Sequence, residues 1–84
     1  VNKALEVEGV RMAVLASERD DGIKMSLRAV EPDTVNDIAV LFGGGGHAQA
    51  AGCTIHAPLH EALDQVLAAM KDKLDKTPRP EGRV

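Results

Sequence analysis

The chain has 84 residues, the size of one small domain, and Phe42 is its only aromatic residue. A chain of this length buries only about 60 to 65% of its unfolded surface, so one aliphatic core is expected and two are excluded. Ten basic against 13 acidic residues give a formal charge of -3, which argues against a protein that binds long duplex nucleic acid by general charge neutralisation.

The single cysteine, Cys53, excludes an internal disulfide and leaves the reducing cytoplasm as the expected compartment. No stretch approaches the roughly 20 apolar residues of a membrane span. Residues 1–10 also lack the apolar region of a signal peptide. We therefore expect a soluble domain of the cytoplasm.

Two segments alternate in polarity with the period of two that is typical of β-strands. The first covers residues 10–17, and the polar stretch 18–22 behind it ends in Asp-Gly, a favoured pair for a hairpin turn. The second covers residues 23–30 and places Ser26 and Arg28 on its polar face. That face is either simply solvated or turned towards a ligand.

A short helix is predicted over residues 33–42, where apolar residues recur at helical spacing. Residues 31–34 supply candidates for its N-terminal cap. The glycines at 43–46 end it, because each glycine costs roughly 1 kcal/mol in a helix interior. A third strand is predicted over residues 53–55.

An apolar stripe from Pro58 to residue 74 predicts a second, longer helix that covers the core. The order strand, strand, helix, strand, helix indicates an α+β domain, with a small mixed β-sheet of a hairpin plus a further short strand covered by two helices. We expect this domain to span residues 1–76. Residues 77–84, with two prolines, are predicted to form a disordered tail.

Four glycines followed by a histidine, at positions 43–47, are the most informative feature of the chain. Their entropic cost implies that a folded domain uses either their positive φ values or their missing side chains. If a helical turn began near His47, its converging N–H groups would favour an anion such as phosphate. The run matches neither the phosphate-binding loop nor the dinucleotide fingerprint, and a flexible loop is the alternative.

In combination, these motifs resemble the C-terminal DHH-associated domain of the DHH phosphoesterase family. The similarity covers about residues 10–74 and is greatest to the oligoribonuclease and cyclic-dinucleotide phosphodiesterase branch. The segments that carry it are, in chain order, Lys24-Met25-Ser26-Leu27-Arg28, Val35-Asn36-Asp37-Ile38-Ala39, Phe42-Gly43-Gly44-Gly45-Gly46-His47 and Ala50-Ala51-Gly52.

The resemblance implies a domain that forms one wall of a substrate cleft. Arg28 and His47 would hold the phosphate of a short oligonucleotide, dinucleotide or nucleoside phosphate, and the glycine-rich loop would make room for the nucleotide. Further candidate binding residues stand at other motif positions, and the full set is Ser26, Arg28, Asn36, Gly43, Gly44, Gly45, Gly46, His47 and Gly52.

The resemblance also implies that catalysis belongs to an N-terminal DHH domain of the same polypeptide. That domain would bind divalent metal, usually manganese, through aspartates and an Asp-His-His motif. This sequence has no Asp-His-His. We therefore expect the chain by itself to be inactive and to contain no cofactor or metal.

Three other interpretations remain open. A tRNA-binding module of the alanyl-tRNA synthetase C-terminal type would also fit the family, although the chain is short of basic residues. A purely structural domain would use the glycines for packing and the long helix as a dimer contact. Isolated from its catalytic lobe, the domain is expected to expose apolar surface along Met12, Leu15 or the first helix and to be able to form a homodimer. A self-contained metalloenzyme would use His47, Cys53, His56 and His60.

Overall fold

The computed structural model describes residues 2–7 and 11–76. The predicted tail at 77–84 and Val10, the predicted start of the first strand, lie outside these residues. The elements are β1 (Asn2–Val7), β2 (Met12–Arg19), β3 (Gly22–Ala29), α1 (Asn36–Leu41), β4 (Gly45–His47), β5 (Ala50–Ile55) and α2 (Leu59–Lys76).

The five described strands form one sheet in the order β1-β2-β3-β5-β4. Each neighbouring pair is antiparallel. The α+β class is confirmed. The sheet differs from the predicted mixed sheet in having no parallel pair among these strands and in gaining β1 and β4.

Both helices cover the same face of the sheet, and the core lies between them and the strands. The predicted alternation of β2 and β3 and the apolar stripe of α2 are confirmed by burial. The buried side chains of the core come from three strands and both helices and include Met12, Val14, Ala16, Met25, Leu27, Ile38, Ala51, Cys53, Val66 and Met70.

No helix of residues 2–7 and 11–76 covers the other face of the sheet, and we call it the open face. Residues on it alternate along each strand with the core residues, as Lys24, Ser26 and Arg28 do along β3. Opposite residues of antiparallel strands point to the same side of a sheet, so the strand register gives the remaining members of this face.

The hairpin between β2 and β3 confirms the predicted turn with a shift of one residue. Arg19 pairs with Gly22, so the loop consists of Asp20 and Asp21. Gly22 then opens β3 with a φ of 142°.

Helix α1 begins at Asn36, three residues later than predicted. Its N-terminal cap is Val35, and no side chain makes a capping hydrogen bond. The prediction of a cap within residues 31–34 was therefore wrong, because Asp33, the best capping residue of that stretch, is engaged in a buried ion pair with Arg11 instead.

Apolar side chains are exposed at two of the three predicted places, which are Leu15 and the first helix. Leu15 is 43% exposed, and on α1 Val40 and Leu41 are 62% and 73% exposed. Met12 is instead only 1% exposed, because it lies on the core face of β2. Among the described residues, no helix is long and apolar enough to cross a membrane.

Candidate functional site

Arg28 and His47 lie on one row of the open face. Arg28 of β3 is paired with Ala50 of β5, and Ala50 is paired in turn with His47 of β4. Neighbouring strands are about 4.8 Å apart, which places the two Cα atoms roughly 10 Å apart with a single methyl group between them. The two side chains thus flank a gap of a size that a phosphate group can enter.

Both side chains of this row are exposed. The guanidinium of Arg28 donates one hydrogen bond, from Nη1 to the carbonyl oxygen of Leu27, at 3.1 Å. Within the described ranges no carboxylate forms a salt bridge with Arg28 or with His47. The remaining N–H groups of the guanidinium can therefore donate to an incoming anion.

The adjacent row of the open face is poor in side chains. Ser26 of β3 is paired with Gly52 of β5, and Gly52 is paired with Gly45 of β4. Only the Ser26 hydroxymethyl group rises above the backbone in this part of the row. The row therefore forms a shallow floor beside Arg28 and His47, where a ligand can approach the backbone closely.

The first two glycines of the run end helix α1. Gly43 has a φ of 85°, and its N–H donates to the carbonyl of Val40 at 3.0 Å. The N–H of Gly44 donates to the carbonyl of Ala39 at 2.8 Å. These two bonds, with a left-handed residue directly after the C-terminal cap, make a Schellman motif, which satisfies carbonyl groups at the helix end.

The last two glycines belong to strand β4, and no helical turn begins at His47. His47 ends β4 and is followed by the two-residue turn Ala48-Gln49, which leads into β5. The condition for an anion site at a helix N-terminus, a helical turn near His47, is therefore not met. The run is a helix cap joined to an edge strand rather than one continuous loop.

Close packing disfavours larger residues at two of these glycines. A Cβ atom on Gly44 would lie 2.0 Å from the carbonyl oxygen of Gly52. A Cβ atom on Gly46 would lie 2.6 Å from the Cα of Ala51. On Gly45 a Cβ atom would meet nothing within 4 Å, so packing does not require a glycine there.

The nine candidate binding residues thus separate into two groups. Ser26, Arg28, Gly45, His47 and Gly52 come together on the open face. Gly43, Gly44, Gly46 and Asn36 do not, because the first two cap α1, Gly46 is paired with the buried Ala51 on the core side, and Asn36 is the half-buried first residue of α1.

A buried polar cluster holds the turn after His47 against the segment after Arg28. Arg11 Nε and Nη2 donate to the two carboxylate oxygens of Asp33 at 2.8 Å each. Gln49 Nε2 donates to the carbonyl oxygen of Asp33 at 2.9 Å. The N–H of Ala29 donates to the carbonyl of Gln49 at 3.1 Å, and that of Val35 to the carbonyl of Ala48 at 2.7 Å.

We call Arg11, Asp33 and Gln49 the polar clamp. The Arg11 and Asp33 side chains are 9% and 8% exposed, so their bidentate pair is shielded from water. This cluster was not predicted from the sequence, because Arg11 and Asp33 are 22 positions apart and Asp33 and Gln49 are 16 positions apart. Contacts at such separations leave no local sequence pattern.

Helix α2 fixes the start of α1 through one lysine. Lys73 Nζ donates to the carbonyl and the hydroxyl of Thr34, at 2.6 and 2.5 Å, and to the carboxylate of Asp37 at 2.6 Å. Burial by itself would raise the pKa of Asp37. The hydrogen bond and charge of Lys73, with the backbone N–H groups of Asp37 and Ile38, bring that pKa below its usual value.

The residues of the metalloenzyme interpretation are not brought together. Cys53 is buried in β5, and burial raises the pKa of its thiol, so the thiolate that a metal prefers is disfavoured. Across residues 2–7 and 11–76 no group of three His, Cys, Asp or Glu side chains is placed to hold a metal ion.

Comparison with known proteins identifies the class of domain that this fold and site define. Residues 1–76 match the DHHA1 domain family. The chain belongs to that family, as the resemblance of its motifs predicted.

Two curated relatives carry the same printed name, bifunctional oligoribonuclease and PAP phosphatase NrnA. The protein of Thermus thermophilus is 37% identical over 71 residues, which cover 83% of this chain and 22% of the relative. The protein of Bacillus subtilis is 32% identical over 65 residues, which cover 77% of this chain and 20% of the relative. The chain thus spans about a fifth of the length of these relatives.

Proposed function

We propose that the open face of this domain binds the phosphate of a short oligonucleotide, dinucleotide or nucleoside phosphate through Arg28 and His47. The observation that carries the proposal is the strand register, which places the exposed side chains of Arg28 and His47 on one row with only Ala50 between them. A guanidinium donates charge-assisted hydrogen bonds to phosphate oxygens, and an imidazole N–H adds another. Ser26, Gly45 and Gly52 supply a floor for the part of the ligand next to this phosphate.

We further propose that hydrolysis is carried out by a separate DHH catalytic domain of the same polypeptide. Both relatives are named for hydrolytic activities and are about five times as long as the matched segment. Hydrolysis by two metal ions needs a cluster of carboxylates and histidines, and the described residues provide none. The divalent metal, manganese by expectation, would belong to that other domain, and the whole protein would work in the cytoplasm.

A heteronuclear NMR titration of the chain with a 5′-phosphorylated dinucleotide tests the phosphate site. We expect saturable shifts of the amides of Arg28 and of residues 45–47. Arg28→Ala and His47→Ala should each weaken binding by about 1 to 3 kcal/mol, the value of a charge-assisted contact, and leave folding unchanged because both side chains are exposed.

Matched controls are Arg19→Ala, at the opposite end of the sheet, and His60→Ala, on the exposed side of α2. Both should bind the dinucleotide like the parent chain. Equal weakening by controls and site variants would reveal unspecific charge effects and contradict the proposal. A large loss of stability in Arg28→Ala or His47→Ala would make those side chains structural instead.

The assignment of hydrolysis to a separate domain is tested by incubating the chain with a short RNA and manganese. We expect no cleavage, because the described residues lack a two-metal cluster. Manganese-dependent cleavage by the purified chain, lost in His47→Ala, would overturn the assignment of catalysis to another domain.

A further inference from the structure

A groove lies on the open face on the other side of Arg28 from His47. Its volume is about 530 Å³, within the range of small-molecule sites. The open-face residues that line it are Ala4, Glu6, Ala13, Leu15, Ser26 and Arg28.

Residues of opposite charge, Arg28 and Glu6, lie on the two sides of this groove in one row of the sheet. Glu6 of β1 is paired with Ala13 of β2, and Ala13 is paired with Arg28 of β3. The row therefore runs from His47 through Arg28 to Glu6. A phosphate is attracted to the first two residues and repelled by the third, so the Glu6 end suits the neutral part of a nucleotide.

The floor of the groove is aliphatic. Ala4, Ala13 and Leu15 provide it, and Leu15 is 43% exposed although its side chain is apolar. Above such a floor a planar base would bury apolar surface. The carboxylate of Glu6 accepts hydrogen bonds and cannot donate them when ionised, so it would select a base edge that offers donors.

We propose that this groove binds a nucleobase, with preference for guanine. The N1–H and exocyclic amino group of guanine are two adjacent donors, which match the two oxygens of the Glu6 carboxylate. Uracil offers a single N–H between two carbonyl groups that the carboxylate repels. This inference rests on the proposed function, because Arg28 both lines the groove and contacts the phosphate of the same nucleotide.

Three ligands separate the groove from the phosphate site in an NMR titration of the chain. They are guanosine 5′-monophosphate, uridine 5′-monophosphate and ribose 5-phosphate, which share a phosphate and a sugar. We expect guanosine monophosphate to bind about fivefold to tenfold tighter than ribose 5-phosphate, the value of one or two hydrogen bonds with some apolar burial. Its shifts should reach the amides of Ala13 and Leu15, and those of ribose 5-phosphate should stay near His47.

Two variants with matched controls test the roles of the groove residues. Glu6→Gln should remove the preference for the guanine nucleotide over the uracil nucleotide and leave ribose 5-phosphate binding unchanged, and Glu61→Gln on α2 is its control. Leu15→Ala should weaken both nucleotides and spare ribose 5-phosphate, with Leu41→Ala on α1 as its control. All four positions are exposed, so these variants are expected to fold.

The possible failures differ from one another. Equal affinity for the three ligands, with shifts confined to residues 45–47 and Arg28, overturns the base groove and supports the phosphate site. A preference for the guanine nucleotide that persists in Glu6→Gln also overturns the role of this groove. If ribose 5-phosphate and both nucleotides cause no shift at millimolar concentration, the proposed function fails as well.

Discussion

Adjacent glycines of the run meet different surroundings. A methyl group on Gly44 would lie 2.0 Å from the Gly52 carbonyl oxygen and 2.8 Å from the Cα of Cys53. The helix end and β5 would have to separate to admit it. We therefore expect Gly44→Ala to lower the free energy of unfolding by about 3 kcal/mol, the upper range for overpacking, as measured by urea denaturation.

The substitution Gly45→Ala is the matched comparison. Its methyl group meets nothing within 4 Å, so we expect the free energy of unfolding to change by less than about 0.5 kcal/mol. The methyl group would nevertheless stand on the open face beside Gly52, and dinucleotide binding should weaken. If Gly45→Ala binds the dinucleotide with unchanged affinity, the ligand does not lie on this part of the floor.

The thiol of Cys53 should be inert in the native chain. The side chain is 7% exposed and burial raises its pKa, so both access and thiolate formation are disfavoured. We expect its reaction with iodoacetamide at neutral pH to be slow and to accelerate in urea in proportion to the unfolded fraction. Rapid labelling under native conditions would mean that β5 opens locally.

Among the structural elements, the polar clamp connects the residue directly before β2, the segment before α1 and the turn between β4 and β5. Asp33→Ala would leave the buried guanidinium of Arg11 without its bidentate partner. We expect a loss of about 3 kcal/mol in the free energy of unfolding, as is usual when one partner of a buried pair is removed. Asp20→Ala, in the exposed hairpin loop, is the control and should cost little.

The ion pair between Lys73 of α2 and Asp37 of α1 makes the free energy of unfolding depend on pH. The folded pKa of Asp37 is below its ordinary value, so its contribution is present above the unfolded pKa of about 4 and is lost as the pH falls through the folded pKa. The Asp37 side chain is 62% exposed, so we expect only about 0.5 kcal/mol. Asp37→Asn should reduce stability at neutral pH and match the parent chain in acid, with Asp64→Asn as the control in pH-dependent denaturation.

Periodicity predicted β2, β3 and α2 because each has a long apolar face that burial in one core requires. β1 was not predicted, because the sequence of Asn2–Val7 does not alternate strictly between polar and apolar residues. β4 consists of two glycines and a histidine, and glycine has a low strand propensity. The placement of Arg28 and His47 on one row depends on β4 and could not be predicted from periodicity. The family resemblance nevertheless named both residues.

For the whole molecule, the exposed pair Val40 and Leu41 on α1 leads to a prediction about self-association. These side chains are 62% and 73% exposed, and burying them in a contact between two copies would be favourable. We expect concentration-dependent dimer formation in sedimentation velocity experiments, weakened in Leu41→Lys. A chain that stays monomeric at millimolar concentration would contradict the predicted homodimer.

The strand order also has a consequence for how the chain acquires its binding site. β1, β2 and β3 are joined as successive hairpins, and β4 and β5 form another hairpin, so most pairings are local. Only the β3–β5 pairing, next to the polar clamp, joins the two units across the intervening α1 segment. Non-local pairing carries the larger loop-closure cost and is formed late. Arg28 belongs to one unit and His47 to the other, so affinity for phosphate should appear only in the final step of folding and can serve as a kinetic reporter of it.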